Sequence, residues 1–122
     1  MTEPSEPTEC LFCRIVAGAI PARIIEHEPG YLVFADIHPQ APTHLLVVPT
    51  RHIPCVSAHD AISELGELVA AAARLGRRLG YPSEHEPGGF RLVMNEGPEG
   101  GQTVDHLHVH VLAGRRFAWP PG

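Results

Sequence analysis

Three histidines at alternate positions, His106, His108 and His110, stand in the run His106-Leu107-His108-Val109-His110-Val111-Leu112. Successive side chains of a β-strand point to opposite faces, so the imidazoles form one row and Leu107, Val109 and Val111 line the other face. Val109, Val111 and Leu112 favour a half-buried strand whose apolar face is anchored in a core, which holds the imidazoles at fixed spacing. Imidazole titrates near neutral pH and serves as base, nucleophile or metal ligand. A neutral imidazole flanked by others that can carry a proton is a good nucleophile toward phosphorus, because its neighbours offset the negative charge that builds on the phosphoryl oxygens. A solvated polar face or a plain metal clip uses the same residue types.

Other chemistry-bearing residues lie upstream. Asn95-Glu96-Gly97-Pro98-Glu99-Gly100-Gly101-Gln102-Thr103 offers glycines that let backbone N–H groups approach a phosphate, beside amide and hydroxyl donors. Alone, that stretch also reads as an ordinary tight turn. Asp36 ends an apolar run, where a carboxylate accepts two ribose hydroxyls or simply closes a turn. Cys10 and Cys13 form a C-x-x-C, which in a reducing compartment points to a metal pair or a redox pair rather than a structural disulfide. Cys55 has no evident partner and reads as a core or surface thiol.

The elements that must position these groups follow from patterning. Residues 1–8 are rich in Pro, Glu, Ser and Thr and read as a disordered leader. From Glu9, a short helix with Leu11, Ile15 and roughly Phe12 and Val16 on one face ends at Gly18. Arg23 to His27 and Tyr31 to Asp36 read as strands around a Pro29-Gly30 turn, and His44 to Pro49 as a further apolar strand ended by proline. A long helix capped by His59 or Asp60 runs to about Gly80, with Ile62, Leu65, Leu68, Val69, Ala72, Leu75 and Leu79 at helical spacing. Phe90 to Asn95 is a fourth strand, and the histidine strand closes the sheet. The sum is one α+β domain, 9–122, a meander of about five antiparallel strands with two helices.

Composition narrows the function classes. The 122 residues suffice for one core, and a formal net charge of -5 argues against a general nucleic-acid binder, which needs clustered Lys and Arg. No run approaches the ~20 apolar residues of a membrane span, and the first residues lack the basic-then-apolar order of a signal peptide, so a cytoplasmic location is expected.

The row His106-x-His108-x-His110 with its apolar followers resembles the signature of the histidine-triad superfamily. Asn95 to Asp105 and the ending Arg115-Arg116-Phe117-Ala118-Trp119-Pro120-Pro121-Gly122 are similar to its Hint branch, and the resemblance runs from about Cys10 to the last residue. It implies a homodimeric purine nucleoside phosphoramidate hydrolase acting through a nucleotidyl-histidine intermediate. His108 is then the nucleophile, His110 the phosphate partner and proton donor, and Asn95, Gly101, Gln102 and Thr103 the groups around phosphate and leaving group. Asp36 takes the ribose, Phe12, Ile37 and Ile20 wall the base, and Trp119 crosses to the partner subunit's pocket. Thr103 stands where many Hint proteins have serine, and Asp105 where a more apolar or aromatic residue is expected. The resemblance also implies a structural zinc on Cys10, Cys13, His44 and His106, with no cofactor required for catalysis. Alternatives are a dinucleoside polyphosphate hydrolase or nucleotidyl transferase of a sister branch, a nucleotide-binding regulatory module with vestigial catalysis, and a zinc-dependent metalloenzyme.

Overall fold

The apolar runs of the sequence become the interior of one antiparallel sheet, seen in a computed structural model that describes residues 9–122; the expected leader, 1–8, lies outside the described residues. The elements are α1 (Leu11–Val16), β1 (Ile24–His27), β2 (Tyr31–Ala35), β3 (Thr43–Pro49), α2 (Ile62–Leu79), β4 (Phe90–Val93) and β5 (Val109–Ala113). The sheet order is β1-β2-β3-β5-β4, so one step departs from sequential order: β5 inserts between β3 and β4. The cause is α2, which carries the chain from β3 across one face to β4 and leaves a slot beside β3. The last strand is thereby hydrogen-bonded on both edges. Among the described residues, no helix is long and apolar enough to cross a membrane.

Alternation along the strands divides the core between two faces. Val33, Leu45, Val47, Val109 and Val111 pack under Leu68, Ala72 and Leu75 of α2. On the opposite face, Leu32, Phe34, Leu46 and Val48 receive Cys10 and Phe12. Six residues cannot sustain a helix alone, so α1 exists by this docking, with the Phe12 ring edge-on to Phe34 at 5.3 Å. The sheet selects the stripe Phe12, Ile15 and Val16 and leaves Leu11 43% exposed, where helical spacing alone puts Leu11 on the inner face.

The start of α2 also departs from expectation. Neither His59 nor Asp60 caps it: Ala61 occupies the N-cap without a side-chain hydrogen bond. The Asp60 carboxylate is taken by Arg51 at 2.6 Å, and the same guanidinium reaches Glu64 at 2.6 Å. An arginine fork offers charged, bidentate donors that a single helix N–H does not match. Ile62 and Leu79, the first and last residues of α2, are 81% and 40% exposed.

Two glycines of α2 test the packing with one substitution. A Cβ on Gly76 would overlap the Phe90 ring, whereas one on Gly66 meets nothing within 4 Å. Gly76→Ala is expected to destabilise the fold by about 1–3 kcal/mol through overpacking, and Gly66→Ala to stabilise it by up to about 1 kcal/mol through helix propensity. Urea denaturation reads both, and equal signs would contradict the close approach of α2 to β4.

Candidate active site

Register decides what meets what. In the β3–β5 pair, Val47 faces Val109, Leu46 faces His110 and His44 faces Leu112. Because the strands are antiparallel, the start of β5 lies at the end of β3, and the end of β5 at its start. His106, Leu107 and His108 precede the ladder yet keep the alternation: Leu107 joins the core under α2, while His106 and His108 stand on the α1 face with ring centroids 5.8 and 5.2 Å from Phe12. The His108 and His110 rings lie 5.0 Å apart.

Backbone groups assign the ring hydrogens. A carbonyl only accepts, so His108 Nδ1, 2.7 Å from the His106 carbonyl, carries the hydrogen. A neutral His108 then has its lone pair on Nε2. The Gln40 N–H donates to His44 Nδ1 at 3.0 Å, so the hydrogen of His44 is on Nε2, 2.9 Å from His110 Nδ1 and 3.4 Å from Asp36 Oδ2. His110 accepts at Nδ1 and therefore bears its hydrogen on Nε2. One backbone N–H, two residues away through His44, makes His110 an Nε2–H donor beside an Nε2 lone pair on His108.

Burial keeps the row neutral. Desolvation lowers the pKa of His108, against the bond to the His106 carbonyl. His110 is pushed down to about 4, first by burial and then by the neighbouring imidazoles of His108 and His44. His44 is lowered by burial, with the Asp36 charge opposing.

The flanking groups arrive from three directions. Asp36 follows β2, and its Oδ1 accepts the His38 N–H at 2.8 Å, which turns Oδ2 toward His44. Ile37 beside it is 81% exposed. Val93 faces His110, so β4 delivers Asn95 next to the row. The loop that follows is tied down by Gln102, whose Nε2 donates to the carbonyls of Pro54 at 2.8 Å and Val104 at 3.1 Å while its Oε1 accepts from the Gly97 N–H. Glu96 accepts from the Ser57 N–H at 2.8 Å and hydroxyl at 2.7 Å. Gly101, at φ +88°, supplies a left-handed turn above the Asn95 side chain. Thr103 is exposed on this loop, and Trp119 is 83% exposed on a tail anchored by Arg91 to the Ala118 carbonyl. The cleft of about 610 Å³ beside β4 is lined by Phe90, Arg91, Arg115 and Phe117 and contains none of the triad histidines.

The expected metal set needs one correction. The structure groups Cys10, Cys13 and His106 with His52, not with His44. His44 pairs opposite Leu112, six residues beyond His106, which in an extended chain is about 20 Å. His52 follows the end of β3, where the register also brings His106. Cys10 Sγ lies 3.3 Å and Cys13 Sγ 3.5 Å from His106 Nδ1, and Cys13 Sγ lies 3.2 Å from His52 Nδ1. Two thiols and two imidazoles suit a tetrahedral divalent cation of the zinc class. His106 Nε2 donates to the Pro49 carbonyl at 3.0 Å, which leaves Nδ1 as a lone pair aimed at the cysteines. Without a cation, burial and Cys10 push the Cys13 thiol up to about 12; a dication would offset the thiolate charge, so the cluster fits a metal.

A second group, Asp36, His44 and His110, has metal-like spacing but not metal-like chemistry. The Gln40 N–H occupies the Nδ1 lone pair of His44, so Nε2 keeps its hydrogen and has no lone pair for a cation.

These features have counterparts in known proteins. The HIT domain pattern matches residues 17–117. The chain belongs to the HIT family. It is 41% identical to an uncharacterized HIT-like protein of Synechocystis over 93% of this chain and 97% of that one. A HIT family hydrolase from Legionella pneumophila is 43% identical, with TM-score 0.82 over 93% of this chain and 99% of the other. A zinc-bound histidine triad family protein from Mycobacterium smegmatis is 31% identical, with TM-score 0.70 over 96% and 82% of the two chains. The five-stranded antiparallel sheet with two helices is thus the HIT fold. Sequence reasoning missed His52 and the orienting position of His44; counting residues along β3 against the histidine strand would have separated them.

The pH response follows from the neutral row. By NMR, His110 is expected to titrate near pH 4; a midpoint near the ordinary 6.5 would contradict its burial. Its folded pKa lies below its unfolded value, so the unfolded chain binds more protons between the two. Stability is complete above about pH 6.5 and falls as pH drops toward about 4. One such group gives a slope of up to about 1.4 kcal/mol per pH unit, less for a ring with partial solvent contact. His110→Asn should flatten the slope seen by urea denaturation.

Proposed function

We propose that the chain hydrolyses purine nucleoside 5'-phosphoramidates through a nucleotidyl-His108 intermediate, releasing the nucleoside 5'-monophosphate and an amine. The observation that carries this reading is the 2.7 Å bond between His108 Nδ1–H and the His106 carbonyl, which leaves the Nε2 lone pair free. Nε2 attacks the α-phosphorus, the P–Nε2 bond forms as the bond to the amine breaks, and the amine leaves with a proton from solvent. The imidazole acquires positive charge, which the facing carbonyl stabilises through Nδ1–H. Water then cleaves the P–Nε2 bond and restores His108.

His110 directs Nε2–H at the phosphoryl oxygens, and its partner His44 keeps it in that tautomer. Asn95, Gly101, Gln102 and Thr103 form the phosphate loop, in which the Gln102 side chain acts first on the loop's own shape. Asp36 takes the ribose hydroxyls, and Phe12 and Ile37 flank the base. A slot of apolar walls discriminates weakly between adenine and guanine. The Cys10, Cys13, His52, His106 centre holds a structural zinc that pins α1 to the catalytic strand and takes no part in the displacement. The outer edge of β4, unpaired among the described residues, and the exposed Trp119 support a homodimer in which the tail reaches the partner's site.

With adenosine 5'-phosphoramidate, His108→Ala is expected to lower turnover by at least about a thousandfold, in line with loss of a nucleophile, while leaving the thermal transition in place. Mass spectrometry of quenched wild type should show the nucleotidyl adduct on His108. Hydrolysis by His108→Ala at the wild-type rate would overturn the mechanism. Turnover of dinucleoside polyphosphates but not of phosphoramidates would move the protein to a sister HIT branch.

The dimer has its own readout. Light scattering should give twice the chain mass, and Trp119→Ala should raise KM severalfold with little change in melting temperature. A monomer at assay concentration would remove the tail from substrate recognition.

A further inference from the structure

The metal centre leaves one buried polar atom without a partner, and it belongs to His52. Nδ1 of that ring stands 3.2 Å from Cys13 Sγ, while Nε2 is buried and bonded to nothing among the described residues. Once Nδ1 ligates a cation, Nε2 must carry the ring hydrogen and becomes a buried donor that lacks an acceptor. The other imidazole of the centre has its acceptor, since His106 Nε2–H meets the Pro49 carbonyl at 3.0 Å. The two ligands are packed edge to face, with ring centroids 5.0 Å apart, so the same centre contains one supported and one unsupported histidine.

Two carboxylates, Asp60 and Asp105, lie on the segments that flank His52 and His106. Asp60 is held by Arg51 at 2.6 Å. Asp105 is exposed, adjoins the ligand His106 in sequence, and takes part in no side-chain hydrogen bond or salt bridge among the described residues. Its neighbour in sequence, His106, packs edge to face on the His52 ring, which makes Asp105 the unengaged carboxylate on the chain segment that covers that ring.

We propose that Asp105 is the outer acceptor of the metal centre, its carboxylate taking the His52 Nε2–H when Nδ1 ligates a divalent cation of the zinc class. The proposal rests on the reading of Cys10, Cys13, His52 and His106 as a metal centre. The ligand bond forms at the Nδ1 lone pair, the two thiols release their protons to solvent, and the hydrogen on Nε2 stays there, shared with Asp105. A carboxylate on the far nitrogen fixes the ring's tautomer and orientation and raises its basicity, and loss of such partners weakens metal binding by roughly 10–100-fold. Asp105 is a positioning residue in this account, since it touches neither metal nor substrate.

The test uses the full chain and zinc competed against a metallochromic chelator. Asp105→Ala should raise the zinc dissociation constant by about 10–100-fold. Asp105→Asn, which keeps an acceptor oxygen without the charge, should recover part of it, and Glu84→Gln, which removes an equal charge from a distant exposed loop, should change nothing. The metal-free forms should melt together, so that the loss belongs to the metal-bound state. Affinities of wild type and Asp105→Ala within about twofold would overturn the proposal. Cobalt separates the two ways of failing. A thiolate-to-cobalt absorption band in both proteins with equal affinity removes Asp105 alone, whereas no such band in the wild type removes the metal centre itself and the proposal with it.

Discussion

The antiparallel pairing of β3 with β5 is the constraint on which the chemistry of the chain depends. It places Leu46 opposite His110 and Val47 opposite Val109, so the two ends of the histidine row are addressed to opposite ends of β3. At one end, past Pro49, His106 meets His52 and the two cysteines. At the other, His110 meets His44. A slip of one residue would turn the whole row toward α2 and put Val109 and Val111 on the open face. The valines under α2 resist that slip because both are fully buried.

Within that frame, main-chain groups rather than side chains decide the protonation pattern. Three imidazoles have one nitrogen committed to backbone: His106 to the Pro49 carbonyl, His108 to the His106 carbonyl and His44 to the Gln40 N–H. Carbonyls and an amide fix tautomers without adding net charge, which matters in a site where burial already disfavours imidazolium. The consequence is a division among neighbours of one residue type. His106 aims Nδ1 at the cysteines, His108 has a lone pair on Nε2, and His110 has a hydrogen there. Identical side chains present different atoms because the main-chain groups around them differ.

Much of this was legible in the sequence. The alternation of histidine with apolar residues gave the face of the row, and the apolar runs, prolines and glycines gave five strands and two helices close to their bounds. What could not be read was long-range. Arg51 takes Asp60 away from the helix N-terminus it was expected to cap, and nothing local to Asp60 announces an arginine nine residues earlier. The choice between His44 and His52 likewise turns on register, since both flank β3 and either suits a tetrahedral centre by type alone. The slot for β5 between β3 and β4 is set by the path of α2, which periodicity does not reveal.

Separating the cysteine cluster from the reacting face has a physical rationale of its own. In the proposed mechanism, a cation close to His108 would compete for its lone pair and draw the phosphate away from in-line attack. Instead, His106 presents Nδ1 to the cluster while its own main-chain carbonyl, two residues upstream of His108, accepts from the His108 Nδ1–H. One residue therefore links the two regions through different atoms. Ligation through Nδ1 would hold the His106 backbone still, and that carbonyl in turn orients the His108 ring through Nδ1–H. The link runs through the main chain, so a cation at the cysteines would steady the His108 ring without occupying its lone pair.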